Sequence, residues 1–203
     1  MFPIHLKFPD EMAAVGRILV NYGELELDLM HAVSMAKSVG LNTALKSIFR
    51  VRGETNRIDI ADGIARASYV AGGLEAEFDE AIAVTRACLA IRNRYAHAYW
   101  HSPEKTILCY VSLEELAKDK DEIKDLMSLT FFVIDLPLLK QQEDFFLYAS
   151  RLLTYMNYEL RARTMKTFVN PFGRPPVVAK PQPFTRKIEN DDPSPAGRAK
   201  EKS

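Results

Sequence analysis

Apolar residues recur every three or four positions over most of the chain, the spacing of amphipathic helices. This pattern predicts long helices over about residues 10–39, 54–71 and 74–96, with a short segment around residues 43–49 between the first two. Glycines follow the first two long segments and favour helix ends there. The first half of the chain is therefore predicted to be helical.

The pattern changes directly after Ala96. Residues 98–101 look extended, residues 102–105 have turn composition and residues 106–111 have the pattern of a strand, so a β-hairpin is predicted. Ser112 then begins a Ser-x-x-Glu sequence, which fits the capping box of a short helix.

A last helix is predicted from Asp135, as its N-cap, to about Lys166. Residues 129–134 come just before it and are rich in aromatic and β-branched residues, a composition compatible with a third short strand and, almost equally, with helix. The predicted fold is mainly α: a bundle of about four main helices with a small β-hairpin inserted before the last.

Seven of the eleven prolines lie in the last 34 residues, where the apolar periodicity also ends. This stretch has seven Lys and Arg against four Asp and Glu, a net charge of +3, so the rest of the chain has a net charge of −3. Such a composition buries too little apolar surface to offset the loss of chain entropy. We therefore predict a helical domain over residues 1–169 and a Pro-rich, disordered tail over residues 170–203.

Composition excludes several classes of function. The 203 residues include 27 Lys and Arg and 27 Asp and Glu, so a chain-wide cationic surface for nucleic acid is excluded. The absence of a long apolar run and of a signal-peptide pattern predicts a cytoplasmic protein with no membrane partner. Two cysteines, Cys88 and Cys109, argue against a disulfide framework and a cysteine zinc site. The common phosphate-loop, metalloprotease, calcium-loop and nucleophile-elbow motifs are absent, and no metal or cofactor is predicted.

One segment combines residue types suited to phosphate chemistry: Arg92-Asn93-Arg94-Tyr95-Ala96-His97-Ala98-Tyr99-Trp100. It resembles the signature of the HEPN superfamily, whose ribonuclease members carry Arg, a polar residue, three further residues and His near the end of a core helix. Arg92, Asn93 and His97 occupy those places. With Tyr99 the segment is also similar to the Arg-x4-His-x-Tyr form of HEPN toxins that are paired with a minimal nucleotidyltransferase antitoxin.

The resemblance implies an HEPN-like fold over roughly residues 10–166. It implies a metal-independent endoribonuclease that cleaves an RNA substrate at a cleft shared by two protomers of a homodimer. It also implies a toxin or defence role, with an antitoxin or larger assembly keeping the activity in check. If that antitoxin is a nucleotidyltransferase, Tyr99 is the hydroxyl that it would modify.

The residue types fit this chemistry. Cleavage without metal needs a base for the ribose 2′-OH, an acid for the leaving 5′-oxygen and positive charge over the phosphorane. His97 can act as the base or as the acid, and Arg92 can stabilise the negative charge of the phosphorane. Asn93 is expected to orient the imidazole or to contact phosphate. The residues predicted to bind RNA, through positive charge or by stacking on bases, are Arg94, Tyr95, Tyr99 and Trp100.

Helix geometry limits how Arg92 and His97 can meet. On a continuing helix the two side chains lie about 140° apart. They share a site either if the helix unwinds before His97, for which the following hairpin supplies a reason, or if two chains pair and each contributes an Arg and a His. The resemblance implies the second arrangement.

Two other interpretations stay open. Arg92, Arg94 and His97 are cations at a predicted helix C-terminus, where they favour the helix dipole without any catalytic role. Alternatively, the chain is a non-catalytic HEPN-like dimer whose cleft binds a nucleotide, RNA or a protein partner. Exposure of Arg92 and His97 in one open cleft favours catalysis, whereas their burial in ion pairs favours the other interpretations.

Overall fold

The computed structural model describes residues 3–118, 129–165 and 167–188. This part of the chain contains seven helices and four strands. Their bounds are α1 Ile4–Lys7, α2 Pro9–Lys37, α3 Leu41–Phe49, α4 Glu54–Ala71, α5 Glu75–Ala96, β1 Ala98–His101, β2 Leu108–Ser112, α6 Leu113–Leu116, β3 Phe131–Ile134, α7 Leu136–Thr164 and β4 Arg186–Ile188.

Four long helices, α2, α4, α5 and α7, form the body of the protein, as the apolar spacing predicts. Helix α2 packs most extensively against α7 and also contacts α4 and α5. Tyr69 of α4, Phe78 of α5 and Phe146 of α7 are among the largest fully buried side chains. Each such side chain stabilises the fold by roughly 1.5–3 kcal/mol. Within the described residues, no helix has the length and apolar character required to cross a membrane.

Short-range interactions fix several helix ends where the sequence predicts them. The Asp135 carboxylate accepts a hydrogen bond from the Leu138 amide (2.9 Å), which caps α7. The Ser112 hydroxyl accepts one from the Glu115 amide (3.3 Å), which caps α6. Helix α4 ends at Ala71 with Gly72 as its C-cap, and Gly73 follows with a φ of +69°. Helix α2 ends two residues earlier than predicted, because Ser38 adopts the left-handed conformation with a φ of +50°.

The strands form one antiparallel sheet in the order β1-β2-β3-β4. The predicted hairpin is confirmed as β1 and β2, with Trp100 opposite Tyr110. Residues 131–134 form β3, so strand prevails over helix there. One face of the sheet, which includes Trp100 and Tyr110, packs against the helical core. The other face carries a second, smaller apolar cluster.

The Pro-rich segment differs from the expectation, since disorder is the wrong prediction for residues 170–188. Residues 186–188 form β4, which pairs with β3. The Phe184 ring lies 4.7 Å from the Phe132 ring, and the Pro183 carbonyl accepts a hydrogen bond from the Tyr110 hydroxyl (3.2 Å). Prolines favour extended backbone and leave carbonyls free as acceptors, so this segment docks through contacts that composition does not reveal. Residues 189–203, the rest of the predicted tail, lie outside the described residues.

Gln142 of α7 joins the helical core to this C-terminal segment. It is fully buried, its side-chain oxygen accepts a hydrogen bond from the Tyr95 hydroxyl (2.6 Å), and its Nε2 donates to the Gln182 carbonyl (2.9 Å). We expect Gln142→Leu to lower the free energy of unfolding by about 1–3 kcal/mol, because it leaves a buried hydroxyl without an acceptor. Chemical denaturation measures this loss.

The adjacent, exposed Gln141 provides the matched control, and Gln141→Leu is expected to leave stability unchanged. Adding Tyr95→Phe to Gln142→Leu removes the unpaired hydroxyl and is expected to recover part of the loss. Equal denaturation midpoints for the Gln142 and Gln141 variants would show that this hydrogen bond contributes nothing to stability.

Candidate functional site

The end of α5 places the residues of the Arg-Asn-x-x-x-His segment. Helix α5 stops at Ala96, and His97 follows as its C-cap with a φ of −120° and a ψ of 30°. The His97 carbonyl accepts a hydrogen bond from the Leu113 amide (3.0 Å), and Ala98 begins the hairpin opposite Ser112. The helix therefore ends at His97, so a continuing helix no longer fixes how its side chain lies relative to that of Arg92.

An open cleft of about 760 Å³ lies at this helix end. Arg92, Asn93 and His97 all line it, so one chain brings the three predicted catalytic residues to the same surface. Glu54, at the start of α4, and Glu114, in α6, lie on its other walls. His97 is exposed, and its imidazole has no hydrogen-bond partner within the described ranges. The imidazole is therefore accessible to a ligand in the cleft.

Contacts within the protein use only some of the hydrogen-bond donors of the Arg92 guanidinium. Its Nη1 donates to the Asn93 side-chain oxygen (3.0 Å) and lies 3.5 Å from a Glu54 carboxylate oxygen. Its guanidinium carbon lies 5.8 Å from the centre of the Tyr22 ring, and 25% of its side chain is exposed. Among the residues that the structure describes, the other two guanidinium nitrogens have no hydrogen-bond partner, so Arg92 retains donors for an anion.

Asn93 contacts the arginine of its own chain. The only side-chain hydrogen bond that it makes within the described part of the chain is the one that it accepts from Arg92. Within one chain Asn93 makes no described hydrogen bond to His97, so its role in orienting the imidazole stays a prediction. Contact with a phosphate remains open to its amide group, which also lines the cleft.

A charged layer lies beneath Arg92. Tyr22 is 2% exposed, and its hydroxyl is the one buried side-chain polar atom without a hydrogen-bond partner in the described residues. Burial raises the pKa of Tyr22, with a further increase from Glu26 and Glu54. Glu26 in turn pairs with Arg57 at 2.8 Å. The carboxylates of Glu26 and Glu54 thus offset the positive charge of the two arginines.

None of the four predicted RNA-binding residues lines the cleft. Tyr95 is 4% exposed, its hydroxyl donates to Gln142, and burial raises its pKa. Its ring is part of the core and has no free face for a base, so the predicted stacking role is wrong. Arg94 does not line the cleft, and its Nε lies 3.4 Å from the Glu115 carboxylate. Arg94 is therefore paired with Glu115 rather than exposed on the wall of the cleft.

Tyr99 and Trp100 lie in a second pocket, farther along β1. The Trp100 ring packs against Tyr95 and Tyr110 at centroid distances of 5.8 and 5.5 Å. The Tyr99 ring lies 6.4 Å from Phe131 of the smaller cluster. Both residues are half-buried and have surface available to a ligand. The structure thus separates these aromatic residues from the cleft that contains Arg92 and His97.

Sequence reasoning missed the two cleft carboxylates. Glu54 is 38 residues away from Arg92 in the chain, and Glu114 belongs to α6, which folds back after the hairpin. Only the positive φ of Gly53 (+82°), directly before α4, gives Glu54 a distinctive local environment. A glycine before a helix is too common a signal to identify such a residue.

The cleft thus offers a guanidinium with free donors and an exposed imidazole, groups that together can hold a phosphate oxygen and move a proton. No protein-family model, no curated protein and no solved structure matches this chain.

Proposed function

We propose that the protein is a metal-independent endoribonuclease of HEPN type that cleaves RNA in the cleft lined by Arg92, Asn93 and His97. One observation carries the proposal: α5 ends at Ala96, and Arg92 and His97 line the same open cleft although a continuing helix would separate them. Capping of the helix dipole alone needs no such cleft. The resemblance of the segment to the HEPN signature supplies the reaction class.

In the proposed reaction, His97 removes the proton from a ribose 2′-OH, and the 2′-oxygen attacks the adjacent phosphorus. The Arg92 guanidinium binds the non-bridging oxygens, on which negative charge accumulates as the phosphorane forms. The bond to the 5′-oxygen then breaks, and an imidazolium donates a proton to the leaving oxygen. The products are a 2′,3′-cyclic phosphate and a 5′-hydroxyl end.

A homodimer completes this scheme. One imidazole cannot be the base and the separate acid at the same instant, and the described cleft contains one histidine, His97. A second copy, related by a twofold axis, supplies a second His97 and a second Arg92. It also adds positive charge, which the cleft needs because Glu54 and Glu114 offset the charge of a single Arg92.

As a nuclease of this type, the protein acts as a toxin or defence component and requires a partner that restrains it. An antitoxin of nucleotidyltransferase type is the partner that the Arg-x4-His-x-Tyr pattern favours. Tyr99 is then the acceptor hydroxyl. Its half-buried side chain lines the second pocket, and the residue before it, Ala98, lines the cleft, so a nucleotide added to Tyr99 would crowd RNA that passes from one to the other.

Incubation of the purified protein with RNA in EDTA tests the proposal. We expect internal cleavage that leaves 2′,3′-cyclic phosphate ends, and no cleavage of the same RNA with 2′-O-methyl riboses, because the attacking oxygen is then blocked. An Arg92→Ala/His97→Ala double variant, purified in parallel, measures any contaminating nuclease. Intact RNA, or equal cleavage by the double variant, would exclude the nuclease and leave a non-catalytic dimer that binds nucleotide, RNA or protein.

A further inference from the structure

A second pocket, of about 540 Å³, lies at the open edge of the sheet. Strand β1 is the outermost strand in the order β1-β2-β3-β4, so one of its edges has no partner strand among the described residues. Residues 99–101 of β1, the following turn and helix α1 form the wall of the pocket. Its volume lies within the range of roughly 300–1,000 Å³ typical of sites for small molecules.

The chemistry of this pocket differs from that of the cleft. Three consecutive ring-bearing residues, Tyr99, Trp100 and His101, line it, together with the lysines Lys7 and Lys105. No carboxylate side chain of the described residues lines the pocket, whereas two line the cleft. Aromatic rings beside ammonium groups match a nucleotide, whose base stacks on a ring and whose phosphate attracts the positive charge.

Hydrogen bonds hold one of the two ammonium groups in place. Lys7 Nζ donates to the Ser102 hydroxyl (2.5 Å) and to the Glu104 carbonyl (3.1 Å). An ammonium group has three donors, so one remains for a ligand. Lys105 is exposed in the turn at the other side of the pocket.

Consecutive residues of β1 line the cleft and the pocket. Ala98 lines the cleft, and the next residue, Tyr99, lines the pocket. Ala98 and His101 are three residues apart on the extended backbone of β1, which corresponds to about 10 Å. A single RNA strand can span this distance and occupy both places.

We propose that this pocket is a subsite for a nucleotide of the RNA strand that flanks the cleaved bond. The base stacks on the Tyr99 ring, close to Trp100 at the edge of the sheet, and Lys7 and Lys105 hold the phosphate. The link to the scissile bond rests on the proposed ribonuclease function, whereas binding of a nucleotide in the pocket can be tested without it.

Trp100 is the single tryptophan of the chain, so the intrinsic fluorescence of the protein reports on this pocket. The experiment titrates the full chain with a short 2′-O-methyl RNA, which binds but cannot be cleaved through its 2′-oxygen. We expect saturable quenching.

Tyr99→Ala is expected to raise the Kd by about 5- to 150-fold, in line with the loss of one stacked base. Lys105→Ala is expected to lower the slope of log K against log salt by about 0.7, the loss of one phosphate contact on a single strand.

Matched variants separate this proposal from the nuclease proposal. Lys46→Ala, on the exposed surface of α3, should retain the Kd and the salt slope of the unmodified chain. His97→Ala should still show quenching, so quenching without cleavage would support the pocket even if the nuclease proposal fails. Lys105 is exposed, so its variant keeps the test valid if Tyr99→Ala does not fold. Absence of quenching, or equal binding by the Lys105 and Lys46 variants, would overturn the subsite while any cleavage of RNA continues to support the nuclease.

Discussion

Replacing His97 by alanine is expected to lower the rate of RNA cleavage by about 10²–10⁴-fold, the usual contribution of a general acid or base. His97 is exposed at the end of α5 and lines the cleft beside Arg92. Its imidazole has no hydrogen-bond partner within the described residues, so the substitution should change the free energy of unfolding by less than about 0.5 kcal/mol. The cleavage rate on a labelled RNA and the denaturation midpoint are measured on the same preparation.

The matched control removes an imidazole that lies outside the cleft. His31 lies on α2 and does not line the cleft, so His31→Ala should cleave RNA at the rate of the unmodified chain. Added imidazole should partly restore cleavage by His97→Ala, because the cleft is open to solvent and the missing group only transfers protons. A His97→Ala protein that is folded and fully active would remove His97 from the mechanism.

The sequence predicts the helical body well because local signals agree with the apolar period. The bounds predicted for α4, residues 54–71, match the structure, and Asp135 and Ser112 cap the helices that they were expected to begin. These features depend on residues close in the chain, where capping and turn chemistry determine conformation.

Long-range contacts account for what sequence reasoning did not predict. The docking of residues 170–188 depends on partners far away in the chain, such as Tyr110 and Gln142 for the carbonyls of Pro183 and Gln182. Composition measures how much apolar surface a segment carries, but not whether the rest of the protein offers acceptors, donors and rings that match it.

In the candidate site, too, local features could be predicted from the sequence and long-range contacts could not. Arg92, Asn93 and His97 are near neighbours in sequence, and a short pattern together with the end of a helix is enough to bring them to one cleft. Tyr95 belongs to the same segment, yet it lies on the face of α5 that is buried against α7 through Gln142. Spacing alone does not distinguish an aromatic side chain in the core from one that binds a ligand.

Replacing Arg92 by alanine is the second change with a large expected effect, a loss of about 10²–10³-fold in kcat, comparable to the removal of one oxyanion donor. Arg92→Lys is expected to retain an intermediate rate, because an ammonium group keeps the charge but not the planar pair of donors. Arg86→Ala, on the exposed surface of the same helix, is the matched control and should leave kcat unchanged. Single-turnover cleavage of labelled RNA measures all three variants.

Glu54 makes this prediction more specific. Its carboxylate lies 3.5 Å from Arg92 Nη1, close enough to compete with a phosphate for the charge of the guanidinium. If Glu54 only competes with the phosphate for the Arg92 guanidinium, Glu54→Gln should raise kcat/KM by about 2- to 5-fold. This increase corresponds to a partly exposed ion pair worth up to about 1 kcal/mol. A loss of activity in Glu54→Gln would instead assign the carboxylate a direct role in proton transfer. Unchanged cleavage in Arg92→Ala would contradict the proposed reaction, because no other arginine lines the cleft within the described residues.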